Sequence, residues 1–403
     1  MVVTPPSCVP HAPPPRTGAR PRILHLHSTF DLGGKEARAV RLMNAFGGDF
    51  GHDIASAVPG AVGAMDAIDP SVDARLLKTF PALAGRPTPG RLRRLAKAVD
   101  EGGYALALSY NFGAMDAVLA RRLFGRTPLV HHEDGFNADE RDRQKAARVL
   151  YRRVALPAAA AIAVPSTVLE GIALSIWKQP RQRVVRISNG IDTSRFASLP
   201  APDAIPGLAR TRDELVVGTL AGLRPIKNLP RLVEAFAFAA KLVDRPARLV
   251  IVGDGPERER ILATARAAGV VDRLVMPGFL ANPASYVGLF DIFALSSDSE
   301  QFPISLVEAM AAGLPAAATR VGDIEAIVAA ENRPLLARTA DAEALGRGLA
   351  RLMGDADLRA RIGTANREKV RADYDERVMI AAYRRLYEAA MAGHPAAERE
   401  RAI

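Results

Sequence analysis

Two cations in the second half of the chain have the types and spacing that bind anionic ligands. Arg224 and Lys227 lie in residues 222–228 (GLRPIKN), after an apolar run at 215–219 and ahead of a helical pattern. Arginine grips a phosphate through two parallel hydrogen bonds, and lysine supplies a mobile point charge. Together they suit a diphosphate leaving group. The structural alternative is a solvated basic turn.

Two carboxylates follow, Glu300 and Glu308, with seven residues between them in the segment 298–319 (DSEQFPISLVEAMAAGLPAAAT). The first lies in a loop after the apolar run 291–295. The second lies in a predicted helix, 304–312, which GLP at 313–315 ends. The start of that helix favours negative charge, so its amides suit phosphates while a carboxylate accepts bonds from sugar hydroxyls. A hydrolase acid/base pair, or a surface glutamate beside a helix cap, are the alternatives.

Gly33 and Gly34 stand between a predicted strand at 22–27 and a predicted helix. Glycines there let the backbone approach a ligand, and a helix start favours a phosphate; a tight turn is the alternative. The sequence does not favour a nicotinamide site, because the glycines at 253 and 255 are followed by arginine at 258 where the dinucleotide motif has a third glycine.

The segment VHHEDG at 130–135 adds His131, His132 and Asp134. Histidine suits acid/base chemistry or metal binding. Adjacent residues of a strand point to opposite faces, so we expect no shared metal ion and predict no metal site. Cys8 is the single cysteine, which excludes an internal disulfide and a cysteine-rich zinc site.

The elements that would position these residues alternate along the chain. Strand-like runs, for example at 54–58, separated by helical patterns, for example at 324–330, indicate βαβ units and two doubly wound α/β domains, with ligands at the carboxyl ends of the strands. We expect a disordered proline-rich leader at 1–20, a first domain at 21–195, a linker at 196–214, a second domain at 215–375, and a C-terminal helix at 376–403 that packs back on the first domain. The leader has no apolar core of a signal peptide, and no run of about 18 apolar residues predicts a membrane-spanning helix.

The chain of 403 residues carries a formal net charge of +10. This charge fits an acidic substrate, an anionic membrane, nucleic acid, or a basic compositional bias. Aromatic residues make up only 5%, with no basic stripe between them, so we expect no nucleic-acid partner. For a membrane-facing surface the candidates are arginines of two predicted helices: Arg121, Arg122, Arg126, Arg141, Arg143, Arg148, Arg152 and Arg153.

In combination, six segments resemble the family-4 glycosyltransferases, which are retaining, nucleotide-sugar-dependent enzymes of GT-B fold. The segments are 28–44, 130–135, 186–196, 222–236, 249–261 and 296–323, in the family's order. The likeness is greatest to bacterial members that build exopolysaccharide, lipopolysaccharide or related surface glycans. It implies two Rossmann-like domains that face each other across a cleft, with C-terminal helices.

The resemblance also implies a role for each matching position. Arg224 and Lys227 would clamp the donor diphosphate, Glu300 would bind hydroxyls of the donor sugar, and Glu308 would hold the ribose. The remaining donor contacts would come from Gly222, from Gly278 and Phe279 near the base, from the amides around Phe302, Pro303 and Ile304, and from Gly33 and Gly34 of the first domain. No metal or other cofactor is implied, because the two cations neutralise the leaving group.

Two positions depart from the family pattern. Residue 301 is glutamine where the family usually has glycine, which could narrow the donor-sugar pocket. The family's histidine before the glycine of the VHHEDG-like segment is replaced by Asp134, with His131 and His132 upstream. We predict that His132 is the first-domain group at the anomeric carbon.

The predicted function is transfer of a sugar from a nucleotide-diphosphate sugar to a glycan or lipid-linked acceptor. We expect a cytoplasmic protein that could lie peripherally on the inner face of the membrane. A non-hydrolysing sugar-nucleotide epimerase and a non-catalytic nucleotide-sugar-binding protein are the alternatives.

Overall fold

A computed structural model of the chain describes residues 20–31, 33–135, 140, 144–211, 213–338 and 341–393. The leader predicted at 1–20 therefore lies outside the described residues, apart from Arg20, and so do residues 394–403.

The first domain is built on a parallel sheet of seven strands in the order β3-β2-β1-β4-β5-β6-β7. The strands are β1 Arg22–His27, β2 Gly51–Ser56, β3 Ala74–Leu76, β4 Leu106–Tyr110, β5 Leu129–His132, β6 Ala161–Val164 and β7 Val184–Arg186. The helices between them are α1 Gly34–Phe46, α2 Pro89–Glu101, α3 Met115–Phe124, α4 Ala146–Ala155 and α5 Thr167–Ser175. Helices cover both faces of the sheet, which is why most of its strand residues are buried, the histidines at 25, 27, 52, 131 and 132 included.

The second domain has a parallel sheet of six strands in the order β10-β9-β8-β11-β12-β13. The strands are β8 Leu215–Leu220, β9 Ala247–Val252, β10 Leu274–Gly278, β11 Ile292–Leu295, β12 Ala316–Thr319 and β13 Leu336–Ala337. The helices are α6 Leu229–Leu242, α7 Arg258–Ala267, α8 Ile304–Ala311, α9 Ile324–Ile327, α10 Ala342–Gly354 and α11 Ala356–Asp373.

Most predicted elements occur, but three differ. The strand predicted at 54–58 begins earlier, at Gly51, and β3 was not predicted because it has only three residues. The helix predicted at 324–330 ends at Ile327. A 3-10 turn at Ala330–Leu335 follows it.

The helix α12 (Glu376–Met391) crosses back to the first domain. Its buried residues Met379, Tyr383 and Leu386 share one apolar core with Ile23 of β1 and Leu108 of β4. Apolar residues at helical spacing thus cover one face of the first sheet from the far end of the chain.

Candidate functional site

The carboxyl ends of the two sheets face each other. The loop after β6 contacts the loops after β11 and β12: Ser166 Oγ lies 3.4 Å from Gln301 Oε1, and the Thr167 amide donates to Asp323 over 2.7 Å. Ligands of doubly wound sheets bind at these strand ends. The cleft between the domains is therefore the candidate site.

Lys227 and Glu300 meet on the second-domain side of the cleft. Nζ of Lys227 lies 2.5 Å from Oε1 of Glu300, which also accepts a hydrogen bond from Ser297 Oγ over 2.6 Å. Both charged side chains are mostly buried. The structure thus joins the predicted phosphate-binding lysine and the predicted sugar-binding carboxylate in one ion pair.

A second layer of side chains, missed by the sequence reasoning, fixes this pair. Ser296 Oγ donates to the Lys227 carbonyl over 2.9 Å, and the Arg231 guanidinium donates to the Ser296 carbonyl and pairs with Asp298. Asn228 has a φ of 43°, a left-handed conformation that turns the chain from the lysine into α6. The polar run SSDS at 296–299, directly after a buried strand, was the available signal.

Arg224 is exposed, and among the described residues its guanidinium has no hydrogen bond or ion pair. Its Nε would lie 3.5 Å from a Cβ at Gly222, so the side chain passes close to that glycine. A Cβ at Gly253 would lie 1.9 Å from the Ala221 carbonyl oxygen. That glycine therefore permits close packing of the backbone that carries Arg224.

The start of α8 also borders the candidate site. Its N-cap residue is Pro303, whose side chain cannot accept a hydrogen bond, so among the described residues the N-cap position provides no cap for the helix. The ring of Phe302 packs against Tyr374 with centroids 5.5 Å apart, and Ile304 is partly exposed. An uncapped helix start attracts anions.

Glu308 lies one turn into α8 and is half-buried. Its carboxylate has no hydrogen bond among the described residues. Burial raises the pKa of Glu308 to about 7, although Arg195 and Arg41 act in the opposite direction. A carboxylate that is desolvated and unpaired can accept hydrogen bonds from a ligand.

Gly278 ends β10 with a φ of 90°, and Phe279 follows it with 76% of its surface exposed. Exposure of a phenylalanine at a strand end leaves an apolar face for a planar ligand group. On the first-domain side, Gly33 caps α1 in an extended conformation, and a Cβ at Gly34 would meet no atom of the described residues within 4 Å. Neither Gly33 nor Gly34 has a positive φ, so the backbone conformation does not require glycine at these two positions.

The structure does not support the prediction that His132 reaches the reacting carbon. Its side chain is fully buried, stacked 4.7 Å from the Tyr110 ring, and its Nε2 lies 2.9 Å from the Tyr387 hydroxyl of α12. Burial and the nearby Arg38 hold the pKa of His132 well below its usual value. His132 is a neutral core residue in this conformation.

His131 and Asp134 are also bound within the protein. His131 Nδ1 lies 2.9 Å from Ser109 Oγ, and Asp134 forms a two-pronged ion pair with Arg38, one bond of which is 2.8 Å. Burial acts to lower the pKa of Arg38, but the adjacent Asp134 carboxylate raises it overall. Asn189 accepts a further bond from Arg38 over 3.2 Å. No local pattern in the sequence indicates this cluster, since its members come from three distant segments.

Two of the arginines predicted to face a membrane are instead bound within the protein. Arg152 is fully buried and pairs with Glu133, and Arg148 pairs with the buried Glu140. Arg141 and Arg143 lie outside the described residues, and Arg122, Arg126 and Arg153 are exposed. Among the described residues, none of the helices has the length and apolarity to cross a bilayer, and no group of three or more acidic, histidine or cysteine residues could hold a metal ion.

Comparisons with known proteins agree with the two-domain division. The family model described as "Glycosyltransferase Family 4" matches residues 32–195, and the model described as "Glycosyl transferases group 1" matches residues 203–369. The two matches together cover most of the chain. The first match ends at residue 195 and the second begins at residue 203.

Two relatives with assigned activities match part of the chain. N-acetyl-alpha-D-glucosaminyl L-malate synthase of Bacillus anthracis is 27% identical over 209 residues, 52% of this chain and 54% of that protein. The lipopolysaccharide core biosynthesis glycosyltransferase LpsD of Rhizobium meliloti is 28% identical over 144 residues, 36% of this chain and 42% of that protein. The matched regions thus span about half the length of these relatives.

Among solved structures, HepE of Anabaena in complex with UDP has a TM-score of 0.74 at 19% identity, covering 91% of this chain and 100% of that one. The shared architecture is GT-B, two Rossmann-like domains facing across a cleft, with helices at the C-terminal end. The fold class expected from the sequence is confirmed.

Proposed function

This chain belongs to the family-4 glycosyltransferases, and we propose that it transfers a sugar from a nucleotide-diphosphate sugar to a glycan or lipid-linked acceptor in cell-surface glycan biosynthesis. The ion pair between Lys227 and Glu300 at the cleft carries this proposal, because it sets a phosphate-binding cation beside a hydroxyl-binding carboxylate. The HepE complexes with UDP and UDP-glucose support a donor of this class.

The donor would bind mainly to the second domain. Arg224 and Lys227 would neutralise the diphosphate together with the uncapped start of α8. Glu300 would accept from sugar hydroxyls and Glu308 from the ribose, while Phe279 would cover the base. Neutralisation by these groups would replace a metal ion, so we propose no cofactor.

The reaction breaks the bond between the anomeric carbon and the diphosphate oxygen and forms a bond from that carbon to the acceptor oxygen. We propose retention at the anomeric carbon, with the acceptor's proton passing to an oxygen of the departing diphosphate. The partners of His132 and Asp134 within the protein favour this route, because both side chains are already bound to other residues. Stabilisation of the leaving group would be the largest contribution to the rate.

A lipid-linked acceptor would bring the protein to the inner face of a membrane. In support, Leu123, Leu150 and Val154 are exposed on α3 and α4, and α4 contains no acidic residue. Arg122 and Arg153 are exposed beside them. Apolar side chains among cations fit an anionic bilayer surface.

Flotation with vesicles of mixed anionic and neutral lipid should carry the protein upward, and Leu150→Glu should reduce the fraction that floats. Equal flotation with purely neutral vesicles would contradict binding to an anionic surface.

A thermal-shift panel of nucleoside diphosphates and their sugars tests donor binding. The matching nucleotide at 100 times its dissociation constant should stabilise the fold by about 2.7 kcal/mol. Release of nucleoside diphosphate only in the presence of acceptor then distinguishes transfer from epimerisation, which needs no acceptor. A panel without any shift would overturn the proposal.

A further inference from the structure

We propose that Asp323 is a positioning residue that clasps the two domains together and aligns the first domain with the loop bearing Glu300. The inference rests on the proposed function for its catalytic consequence, but the clasp itself can be measured without substrate.

The carboxylate of Asp323 caps a helix of the opposite domain. Its Oδ2 accepts from the Thr167 amide over 2.7 Å, and its Oδ1 accepts from the Thr167 hydroxyl and, over 3.3 Å, from the Val168 amide. These amides belong to the first turn of α5, where backbone donors have no partner within the helix. A negative charge there is also favoured by the helix dipole.

Asp323 does not cap its own helix. It occupies the N-cap position of α9, where aspartate commonly accepts a bond from the first turn, yet its side chain makes no such bond. The carboxylate is buried, and among the described residues it has no ion pair with a basic side chain. Its charge is therefore balanced by the start of α5, which lies across the cleft.

The same segment supports the loop that carries Glu300. Gly322 has a φ of 54°, and a Cβ there would lie 1.9 Å from the Glu300 carbonyl oxygen. Thr319 donates to the Ser297 carbonyl over 2.7 Å, and Ser297 in turn holds the Glu300 carboxylate. A bond between Asp323 and α5 thus fixes the first domain against a rigid support for the donor-binding loop.

Gln301 extends this contact from the next position in the loop. Its Oε1 lies 3.4 Å from the hydroxyl of Ser166, the residue that caps α5 from within its own domain. The glutamine that the sequence predicted to narrow the sugar pocket is thus directed at the opposite domain. Two neighbouring loops of the second domain therefore meet the same helix start.

Amide hydrogen exchange of the free protein tests the clasp. In Asp323→Ala, the amides of residues 167 and 168 should exchange at least about tenfold faster than in the wild type, since a charged hydrogen bond of this kind shifts an equilibrium by that order. Glu325→Ala is the matched control, because Glu325 lies on the same helix in an exposed pair with Arg320. Unchanged exchange in Asp323→Ala, or an equal rise in the control, would overturn the proposal.

Two milder variants keep the test valid if Asp323→Ala does not fold. Asp323→Asn keeps the shape and one acceptor, and Thr167→Val removes only the hydroxyl bond, so each should show a smaller acceleration than alanine at 323. If both variants exchange these amides at the wild-type rate, that result would count against the clasp.

The catalytic consequence separates positioning from simple stability. Asp323→Ala should lower kcat about tenfold, while the dissociation constant of the nucleotide should change less than twofold. The reason is that the donor would bind to the second domain and not to the contact between Asp323 and α5. Asp323→Asn should restore part of kcat. A raised KM at unchanged kcat would refute the positioning role. Faster exchange in a protein that shows no transfer even as wild type would support the clasp and refute only the proposed function.

Discussion

The hydroxyl of Tyr387 on the last helix lies 2.9 Å from Nε2 of His132 on β5, joining residues 255 positions apart in the chain. A histidine that the sequence offered as a catalytic group is thereby part of the first domain's core. Substitutions of Tyr387 and of Tyr383, which lies on the same helix, test the contribution of this hydrogen bond.

Tyr387→Phe should destabilise the protein by about 1–3 kcal/mol, because it leaves a buried ring nitrogen without its partner. Tyr383→Phe is the matched control, since the Tyr383 hydroxyl is buried and has no hydrogen-bond partner among the described residues. Urea unfolding followed by circular dichroism measures both variants. Equal losses in the two would contradict a specific role for the bond to His132.

Acid should weaken the fold before most carboxylates titrate. Burial, the first cause in each case, holds the pKa of His25, His27 and His132 well below the usual value and lowers that of His52 to about 4. The unfolded chain takes up protons near pH 6.5, whereas the folded chain does not, so stability is present above that pH and falls as pH decreases below it. Urea unfolding at pH 8, 6 and 5 measures the trend.

His52→Gln provides the control for the acid effect. Removing one buried histidine should lower the slope of stability against pH by about 1.4 kcal/mol per unit between pH 6 and 5. Glu308 acts in the opposite direction, because its pKa in the folded state is raised to about 7. Stability that rises steadily on acidification would mean that the histidines do not dominate.

Donor binding should weaken as pH falls through about 7, since burial raises the pKa of Glu308 to that range. A protonated carboxyl group accepts fewer hydrogen bonds from ribose hydroxyls than a carboxylate does. Calorimetric titration with the nucleoside diphosphate at pH 6 and pH 8 measures the change. In Glu308→Gln the affinity should be lower and its change between pH 6 and pH 8 smaller, leaving only the part due to titration of the terminal phosphate of the ligand near pH 6. A change with pH as large as that of the wild type would assign it to another group.

Lys227→Ala and Arg224→Ala should each lower the rate of transfer by about 10²–10³, as loss of one donor to a developing negative charge typically does. Their effects on stability should differ, because Lys227 pairs with Glu300 whereas Arg224 is exposed and has no ion pair among the described residues. Release of nucleoside diphosphate measures the rate. Lys97→Ala, at an exposed pair with Glu101, is the control; near-normal turnover by both site variants would refute their assignment.

The second domain was easier to predict than the first, for a physical reason. Arg224, Lys227, Glu300 and Glu308 lie in loops and helix starts that directly follow strands, so the sequence alone puts them at one edge of a parallel sheet. The joining of Lys227 and Glu300 also required the adjacency of β8 and β11, which the order of elements along the chain does not reveal.

In the first domain, distant segments decide the environment of His132 and Asp134. Nothing near residue 132 in the sequence indicates that α12 covers it, and nothing near Asp134 indicates Arg38. Asp323 escaped notice for the same reason, because its partners lie more than 150 positions earlier, with a separation of 156 to Thr167. A side chain that acts through contacts between domains leaves no recognisable pattern in the sequence around it.

The return of α12 has a consequence for biosynthesis of the protein. A fragment cut after residue 195 would lack the helix that covers Ile23, Leu108 and His132, and would present that face of its sheet to water. During translation, the core of the first domain therefore cannot be completed until residue 391 has been synthesised. The second domain by then already has all of its own strands and helices. The part synthesised first is thus the one finished last.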